Sequence, residues 1–438
     1  MGLRRSLTFS SWGYALILCS ILISWGLWLG SMWYLDDWYE NRFKYPAKVG
    51  SHTATLLMCW AFILATRFRP VERLFGGLDK VYKAHRYIGE AAFFIVFLHP
   101  IFLGLVSWSE GGGFWSYLWF SDNWVRNTGI IALLVFTILV ILSLYWKIRY
   151  HRWKRSHDFF GLLLVLIIAH GVMAQGEIMR YPLLLAWFAL WCGIGLAAYV
   201  YIRLLYRWLG PQYDYVVERV EDRGDRILEL HLKPLGRPLR HLPGQFCYIS
   251  MDSQAVSREP HPFSISSPPE SPLIRLSIKQ LGDWTRSLSG SSAGELARIW
   301  GPYGHFADHF LTQQGPPPVL IGGGIGITPF LSMIASEACA QHPGPITMIY
   351  STARKDGAVY APEIAARAEA LPQLRFISHI SDEQGFMDEA YLKEQIGELR
   401  DYRYFLCGPQ VMMDALSTIL RDAKVPLERI ISEDFDIR

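Results

Sequence analysis

The sequence is poor in cysteine. Its 438 residues hold six, Cys19, Cys59, Cys192, Cys247, Cys339 and Cys407, and no two form a C-x-x-C pair. That scatter excludes a thiolate-held iron–sulfur cluster and offers no disulfide framework. An EF-hand loop is missing, so calcium control has no support. Internal repeats and long low-complexity tracts are also missing. Charge is sparse and nearly balanced, with 42 basic and 39 acidic residues and a net charge of +3. A nucleic-acid role is therefore not implied.

What the chain has instead is apolar length. Six hydrophobic runs fall at about Trp12–Tyr34, Val49–Phe68, Ala84–Trp108, Asn127–Ile148, Asp158–Gln175 and Pro182–Tyr206. Each is long enough to cross a hydrocarbon core of about 30 Å. Arg4 and Arg5 before the first run could imitate a signal peptide, but the run is long and lacks an A-x-A site, so it reads as a first membrane helix. Basic residues set the orientation. One side carries Arg4, Arg5, Arg67, Arg69, Arg73, Lys80, Lys83, Lys147, Arg149, Arg152, Lys154, Arg155, Arg203 and Arg207; the other has Arg42, Lys44, Lys48, Arg126 and Arg180. Both termini are therefore expected in the cytoplasm. The outer loop from Trp108 to Trp124 is rich in Trp, Tyr and Phe, as an interfacial aromatic belt would be, or a lid or docking surface.

Four histidines lie in these runs or at their edge. His85 and His99 are fourteen residues apart, and His157 and His170 are thirteen apart. At about 100° and 1.5 Å per residue, each pair returns to nearly one helix face, separated by roughly 20 Å. Two such helices side by side form two rungs, and each rung suits a haem iron ligated on both faces. A buried, hydrogen-bonded histidine is the alternative for any one of them. Zinc is disfavoured, because the rungs are too far apart to share an ion and no Cys or carboxylate joins either. By the charge rule, His85 and His157 make the inner rung, His99 and His170 the outer. Pro100 is expected to kink the third run.

After Gly210-Pro211 the pattern changes. Short apolar stretches alternate with Gly and Pro turns to about Phe310, as in an antiparallel β-barrel. Beyond Pro316–Pro318, strand-like runs alternate with helix-like ones, the pattern of a parallel α/β domain. The expected domains are thus 1–210, 211–312 and 313–438. The run Gly322-Gly323-Gly324-Ile325-Gly326-Ile327-Thr328-Pro329 follows a strand and opens a helix. Glycines permit close backbone approach to a phosphate, Thr328 suits an N-cap and Pro329 the first turn. The spacing is not the Rossmann G-x-G-x-x-G, so a different dinucleotide fold, or simply a tight turn, is implied. In His261-Pro262-Phe263-Ser264-Ile265-Ser266-Ser267 an aromatic and hydroxyls alternate as if beside a flat cofactor, though a plain strand would look the same.

This combination resembles the NADPH oxidase / ferric reductase family of transmembrane flavocytochromes b over nearly the whole chain. The histidine pairs and the stretch from Leu78 to Gly89 are similar to that family's bis-haem helices. The resemblance implies a six-helix bundle binding two haems, followed by a ferredoxin-reductase-like module. It implies that Phe263 packs on the isoalloxazine of FAD and Ser264 reaches its N5, with His261, Pro262, Ser266 and Ser267 around them. In the run from Ile278 to Thr285 it counts Lys279 among the cofactor-binding residues and puts the Gly282 and Thr285 backbone near phosphates and Trp284 near the adenine end. Gly322, Gly323, Gly324, Gly326, Thr328 and Pro329 would hold the nicotinamide dinucleotide. Cys407, Gly408 and Pro409 would flank the nicotinamide, and Phe435 would cover the flavin. Arg354 and Lys355 suit a 2′-phosphate, hence NADPH; Ala353 stands where relatives often have Arg, so NADH stays open. Family oxidases often carry a basic residue early in the second helix and a His four residues after the outer ligand; here Leu103 holds the latter position, and Lys48 and His52 are the nearest polar groups.

The implied path follows from electron counting. Nicotinamide delivers two electrons as hydride, haem accepts one, and flavin converts between them. Electrons would run from cytosolic NAD(P)H through FAD and two b-type haems to oxygen or a ferric chelate outside. A membrane electron-supply module for a periplasmic protein or quinone is the alternative. A bacterial inner membrane is expected; the oligomeric state is not legible.

Overall fold

The computed structural model describes residues 10–39, 41–146, 150–253, 256–304, 306–311 and 315–433. The chain forms two units, Met1–Leu209 and Gly210–Arg438.

The first unit is helical: α1 (Ser10–Leu35), α2 (Lys44–Leu64), α3 (Arg69–Phe75), α4 (Leu78–Val96), α5 (Leu98–Ser109), α6 (Trp124–Leu144), α7 (Tyr150–Asp158), α8 (Phe160–Met173), α9 (Glu177–Arg180) and α10 (Pro182–Val200). Six helical segments are long and apolar enough to cross a membrane: Trp12–Leu35, Lys44–Leu64, Leu78–Ser109, Trp124–Leu144, Arg152–Met173 and Pro182–Leu205. They overlap the six apolar runs. Leu134, Ile138, Leu162 and Val165 point outward and are exposed, as apolar side chains facing lipid would be.

The central helix is α2, which packs against α1, α4, α5 and α10. Gly50 permits the closest of these approaches. A Cβ there would sit 2.7 Å from the Leu98 Cβ and 3.2 Å from the His99 nitrogen.

Both histidine-bearing spans are interrupted between their two histidines. The third breaks at Phe97, where α4 gives way to α5. Pro100 has no N–H for the Val96 carbonyl four residues back, so the interruption lies just ahead of the proline. The fifth breaks at Phe159, between α7 and α8, with no proline to announce it.

The second unit begins with six antiparallel strands: β1 (Gln212–Gly224), β2 (Ile227–Pro234), β3 (Phe246–Asp252), β4 (His261–Ser264), β5 (Ile274–Lys279) and β6 (Leu296–Tyr303). Their order is β4-β3-β6-β1-β2-β5. The two edge strands then meet. Ile265, just past β4, bridges Leu276 of β5, and the Ser266 N–H donates to the Arg275 carbonyl at 2.8 Å. The sheet thereby closes into a barrel, which removes its open edges. Leu230, Leu232, Cys247, Ile249, Leu276 and Ile299 are among the residues that fill it.

The parallel strands β7 (Pro318–Gly323), β8 (Ile346–Thr352), β9 (Leu374–Ile380), β10 (Arg403–Cys407) and β11 (Ile430–Ser432) follow in the order β11-β10-β7-β8-β9. Almost every residue of β7, β8 and β10 is buried, as expected for strands covered on both faces. The order reverses between β7 and β10. Ligands bind at such a switch point, beyond the carboxyl ends of the strands.

Candidate functional site

The four membrane histidines meet in two pairs. The rings of His85 and His157 are 5.9 Å apart between centres, and those of His99 and His170 are 6.4 Å apart. Two imidazoles ligating one metal from opposite sides, at about 2.0 Å per bond, have centres about 6 Å apart. Each ring spends Nδ1 on a neighbour. His85 bonds the Ala61 carbonyl at 2.8 Å and His99 the Ala47 carbonyl at 3.1 Å. His157 meets the Ser143 hydroxyl and His170 the Thr128 hydroxyl, each at 3.2 Å. A carbonyl only accepts, so in His85 and His99 the proton sits on Nδ1 and Nε2 keeps its lone pair for a metal. The donor set thus fits two bis-imidazole haem irons. Gly129 makes room for the outer pair, since a Cβ there would lie 2.8 Å from the His170 Cε1. Phe93 and Phe160 each stand between the two histidines of their own span and meet through Phe136, at 5.7 and 6.1 Å.

In the barrel, the motif residues divide by task. Ser266 is fully buried; its hydroxyl bonds the Arg275 carbonyl and the Ser277 hydroxyl, both at 2.9 Å. Ser267 accepts the Arg275 N–H at 3.0 Å. Both serines therefore close the barrel, a use that the reading of them as cofactor contacts did not anticipate. Ser264 makes no such bond. Phe263 stacks on Trp284 at 5.7 Å and 22°, and His261 lies 4.3 Å from the same indole. Trp284 is buried and donates to the Ser257 carbonyl at 2.9 Å. It belongs to the barrel core beside Phe263. Pro262 pairs with Tyr248 across the β3–β4 ladder. Thr285 accepts the N–H groups of Leu281 and Gly282 at 3.0 and 2.9 Å, which fixes the turn at Gly282. Lys279 pairs with Asp225 at 2.8 Å.

At the switch point, Cys407 of β10 lies level with Gly322 of β7. The glycines between them are required by backbone packing. A Cβ on Gly326 would stand 2.5 Å from the Cys407 carbonyl oxygen, and one on Gly323 would stand 2.9 Å from the Pro409 Cδ. One on Gly408 would stand 3.0 Å from the Gly323 Cα. Gly324, with φ +53°, faces open space instead. Thr328 is not the N-cap. A 3-10 turn over Gly324–Ile327 precedes the helix Thr328–Ala335, and the Thr328 hydroxyl donates to the Ile325 carbonyl at 3.0 Å. Pro329 takes the expected first-turn place. Cys407 has no exposed surface. Arg354 and Lys355 lie past β8, and the exposed Arg354 pairs loosely with Asp356 at 3.4 Å. Phe435 lies outside the described residues.

Family models match this chain in the same order: a ferric reductase like transmembrane component at residues 51–168, an FAD-binding domain at 215–321 and an oxidoreductase NAD-binding domain at 320–418. The chain is 29% identical over 232 residues to the heavy chain of a superoxide-generating NADPH oxidase from Dictyostelium discoideum. This order joins a ferric reductase like transmembrane component to FAD-binding and NAD-binding domains, and the chain is similar to that heavy chain. That alignment covers 47% of this chain and 31% of the relative. A flavohemoprotein of Burkholderia sp. (strain TH2) is 30% identical over 237 residues, covering 50% and 58%. The chain thus spans from a third to three fifths of the length of these curated relatives. Among solved structures, the flavohem-like FAD/NAD binding domain of a Vibrio cholerae O1 biovar El Tor nitric oxide dioxygenase aligns at 23% identity and TM-score 0.45, covering 51% of this chain and 98% of that one. A Neisseria gonorrhoeae ferredoxin NADP+ reductase aligns at 16% identity and TM-score 0.45, with the same coverages. The protein is an oxidoreductase with membrane-spanning helices, an FAD-binding domain and an NAD-binding domain.

Two clusters in it were not legible from motifs. In the soluble unit, buried Glu229 accepts from the Tyr360 hydroxyl at 2.9 Å and the Ser277 hydroxyl at 3.1 Å, while Arg275 grips Glu363 at 2.8 and 3.1 Å. These bonds join the barrel to the parallel-sheet domain. Glu221, Glu229 and His231 come together there at metal-ligand spacing. Arg219, however, holds Glu221 at 2.5 Å and the His231 Nδ1 at 3.1 Å, and Arg223 and Arg275 flank Glu229. Burial and then Arg219 lower the His231 pKa, so the ring is neutral inside a charge network rather than part of a metal cradle. In the membrane unit, Lys48 pairs with Glu177 at 2.7 Å, Tyr39 bonds the same carboxylate, and Arg180 pairs with Asp37. His52 is buried between Trp28 and Phe188.

Proposed function

We propose that this protein takes electrons from NAD(P)H through FAD and passes them singly across the membrane through two b-type haems to an acceptor on the far side. The acceptor is oxygen, giving superoxide, or a ferric chelate. The observation that carries the reading is the pairing of four histidines at 5.9 and 6.4 Å with all four Nδ1 atoms engaged. When bound, FAD would turn a two-electron donor into single electrons, and each haem would accept one.

The chain's own groups do the rest. His85 with His157, and His99 with His170, would hold the irons from both sides, so an acceptor meets the haem edge and not the iron. Phe263 would present its free face to the flavin ring, and the Ser264 hydroxyl is left unbonded to reach N5. The half-buried Gly324 turn at the switch point would take the pyrophosphate, beside Gly408 and Pro409. Arg354 and Lys355 would select a 2′-phosphate. The excess of basic residues on one side supports a cytoplasmic soluble unit and cytoplasmic termini; we place the protein in a bacterial inner membrane, with domains at 1–210, 211–312 and 313–438.

The test is NADPH-driven cytochrome c reduction by purified, FAD-loaded protein, with and without superoxide dismutase. Strong inhibition by dismutase is the expected result for oxygen. Dismutase-insensitive reduction, with the haems still reduced anaerobically, would assign a ferric or protein acceptor. Absence of a b-type absorbance after dithionite would end the haem reading.

A further inference from the structure

Lys48 stands one residue after Ala47, whose carbonyl holds His99 of the outer pair at 3.1 Å. A free cation here would draw an anionic acceptor towards the outer haem. The cation is not free. Glu177 pairs with it at 2.7 Å, and the Glu177 side chain is only 5% exposed. Tyr39 bonds the other carboxylate oxygen, so the acid is held at both oxygens by the chain entering α2. Gly176 leaves space for the pair, because a Cβ there would meet the Lys48 Nζ at 3.2 Å. The neighbouring Arg180 is likewise matched, by Asp37. The loops and helix ends on this side contain six acidic and five basic residues, so no positive excess remains.

We propose that Glu177 sets the acceptor class. By cancelling Lys48 it keeps the outer end electrically neutral, so the protein reduces a small uncharged acceptor, dioxygen by chemistry and size, in preference to an anionic ferric chelate. A single electron delivered at the outer histidine pair would be taken up by dioxygen to give superoxide, with no proton or further reactant required. This rests on the bis-haem reading above.

The test uses the full-length, haem- and FAD-loaded protein as wild type, Glu177→Gln, Lys48→Gln and the double variant. Two quantities are read: the outer-haem midpoint potential by optical redox titration, and the anaerobic KM for ferric-EDTA at low and high salt. Glu177→Gln uncovers one positive charge. It should raise the outer potential and lower the KM for ferric-EDTA about threefold to tenfold at low ionic strength, an effect that high salt removes. Adding Lys48→Gln should return both quantities towards wild type, which a merely structural role for Glu177 would not do. An unchanged potential and KM in Glu177→Gln, or a double variant worse than either single one, would overturn the proposal. So would a wild type that prefers ferric-EDTA to oxygen. Wild-type protein without b-type absorbance would overturn the bis-haem reading first, and is seen before any variant is compared.

Discussion

Each of the four paired histidines makes a hydrogen bond through Nδ1, and that bond decides which nitrogen is left for a metal. The consequence is sharpest at His99. Replacing it with Leu should abolish reduction of the outer haem while NADPH-to-dye turnover through FAD persists, as stopped-flow absorbance in anaerobic protein would show. Loss of both activities in a folded variant would contradict the wiring. Gly129→Ala is a subtler probe of the same rung. A methyl 2.8 Å from the His170 Cε1 should displace the ring and lower the occupancy of the outer haem, measured as haem per protein. Glu177 supplies a pH prediction. Burial opposes its ionisation, but the Lys48 charge and the hydrogen bonds from Lys48 and Tyr39 prevail, and its pKa falls from 4.5 to about 2. A depressed folded value means that its contribution is complete above about pH 4.5 and is lost as pH falls towards 2. Thermal stability should therefore be indifferent to this group from pH 5 to 8, and Glu177→Gln should flatten the acid limb.

At the scale of elements, glycines and serines that look like ligand contacts are largely joints. Gly326→Ala would drive a methyl to within 2.5 Å of the Cys407 carbonyl. It should destabilise the parallel-sheet domain by about 1–3 kcal/mol, the usual cost of overpacking, and weaken nucleotide binding with it. Calorimetry and the KM for NADPH read the two effects separately. The Arg275–Glu363 grip and the Tyr360–Glu229 bond join barrel to sheet, and Arg275→Ala releases Glu363 and removes one of the two cations that flank Glu229. We expect a lower melting temperature and slower hydride transfer to FAD in that variant. Unchanged flavin reduction would show that the joint has no part in aligning the two domains. The helix breaks at Phe97 and Phe159 show the same asymmetry of information. Pro100 announces the first, through its missing N–H, whereas no residue type announces the second.

For the whole molecule, hydropathy, charge and motif order make the architecture legible, because each acts locally along the chain. A 20-residue apolar run must be helical in lipid, since its backbone groups have no other partners. The outer aromatic loop is exposed at Trp115 and Trp119, 76% and 73%. Replacing both with Ala should leave NADPH turnover of purified protein unchanged. A drop confined to whole membranes would favour a docked protein or quinone partner, the electron-supply alternative. Deleting the chain from Phe435 onward should alter hydride transfer or the choice between NADPH and NADH if that residue covers the flavin.

Sequence alone determined the six spans, the two histidine spacings, the barrel followed by the parallel sheet, and the switch-point loop, all properties of residues near one another along the chain. Tertiary structure alone decided which groups are already occupied. Ser266 and Ser267 are consumed by barrel closure, Trp284 by the core, Lys48 by Glu177 and the histidine Nδ1 atoms by residues from 14 to 52 positions away. The physical reason is that a hydrogen-bonding group satisfied at long range carries no mark in its own neighbourhood. Its availability for chemistry is a property of the packed molecule.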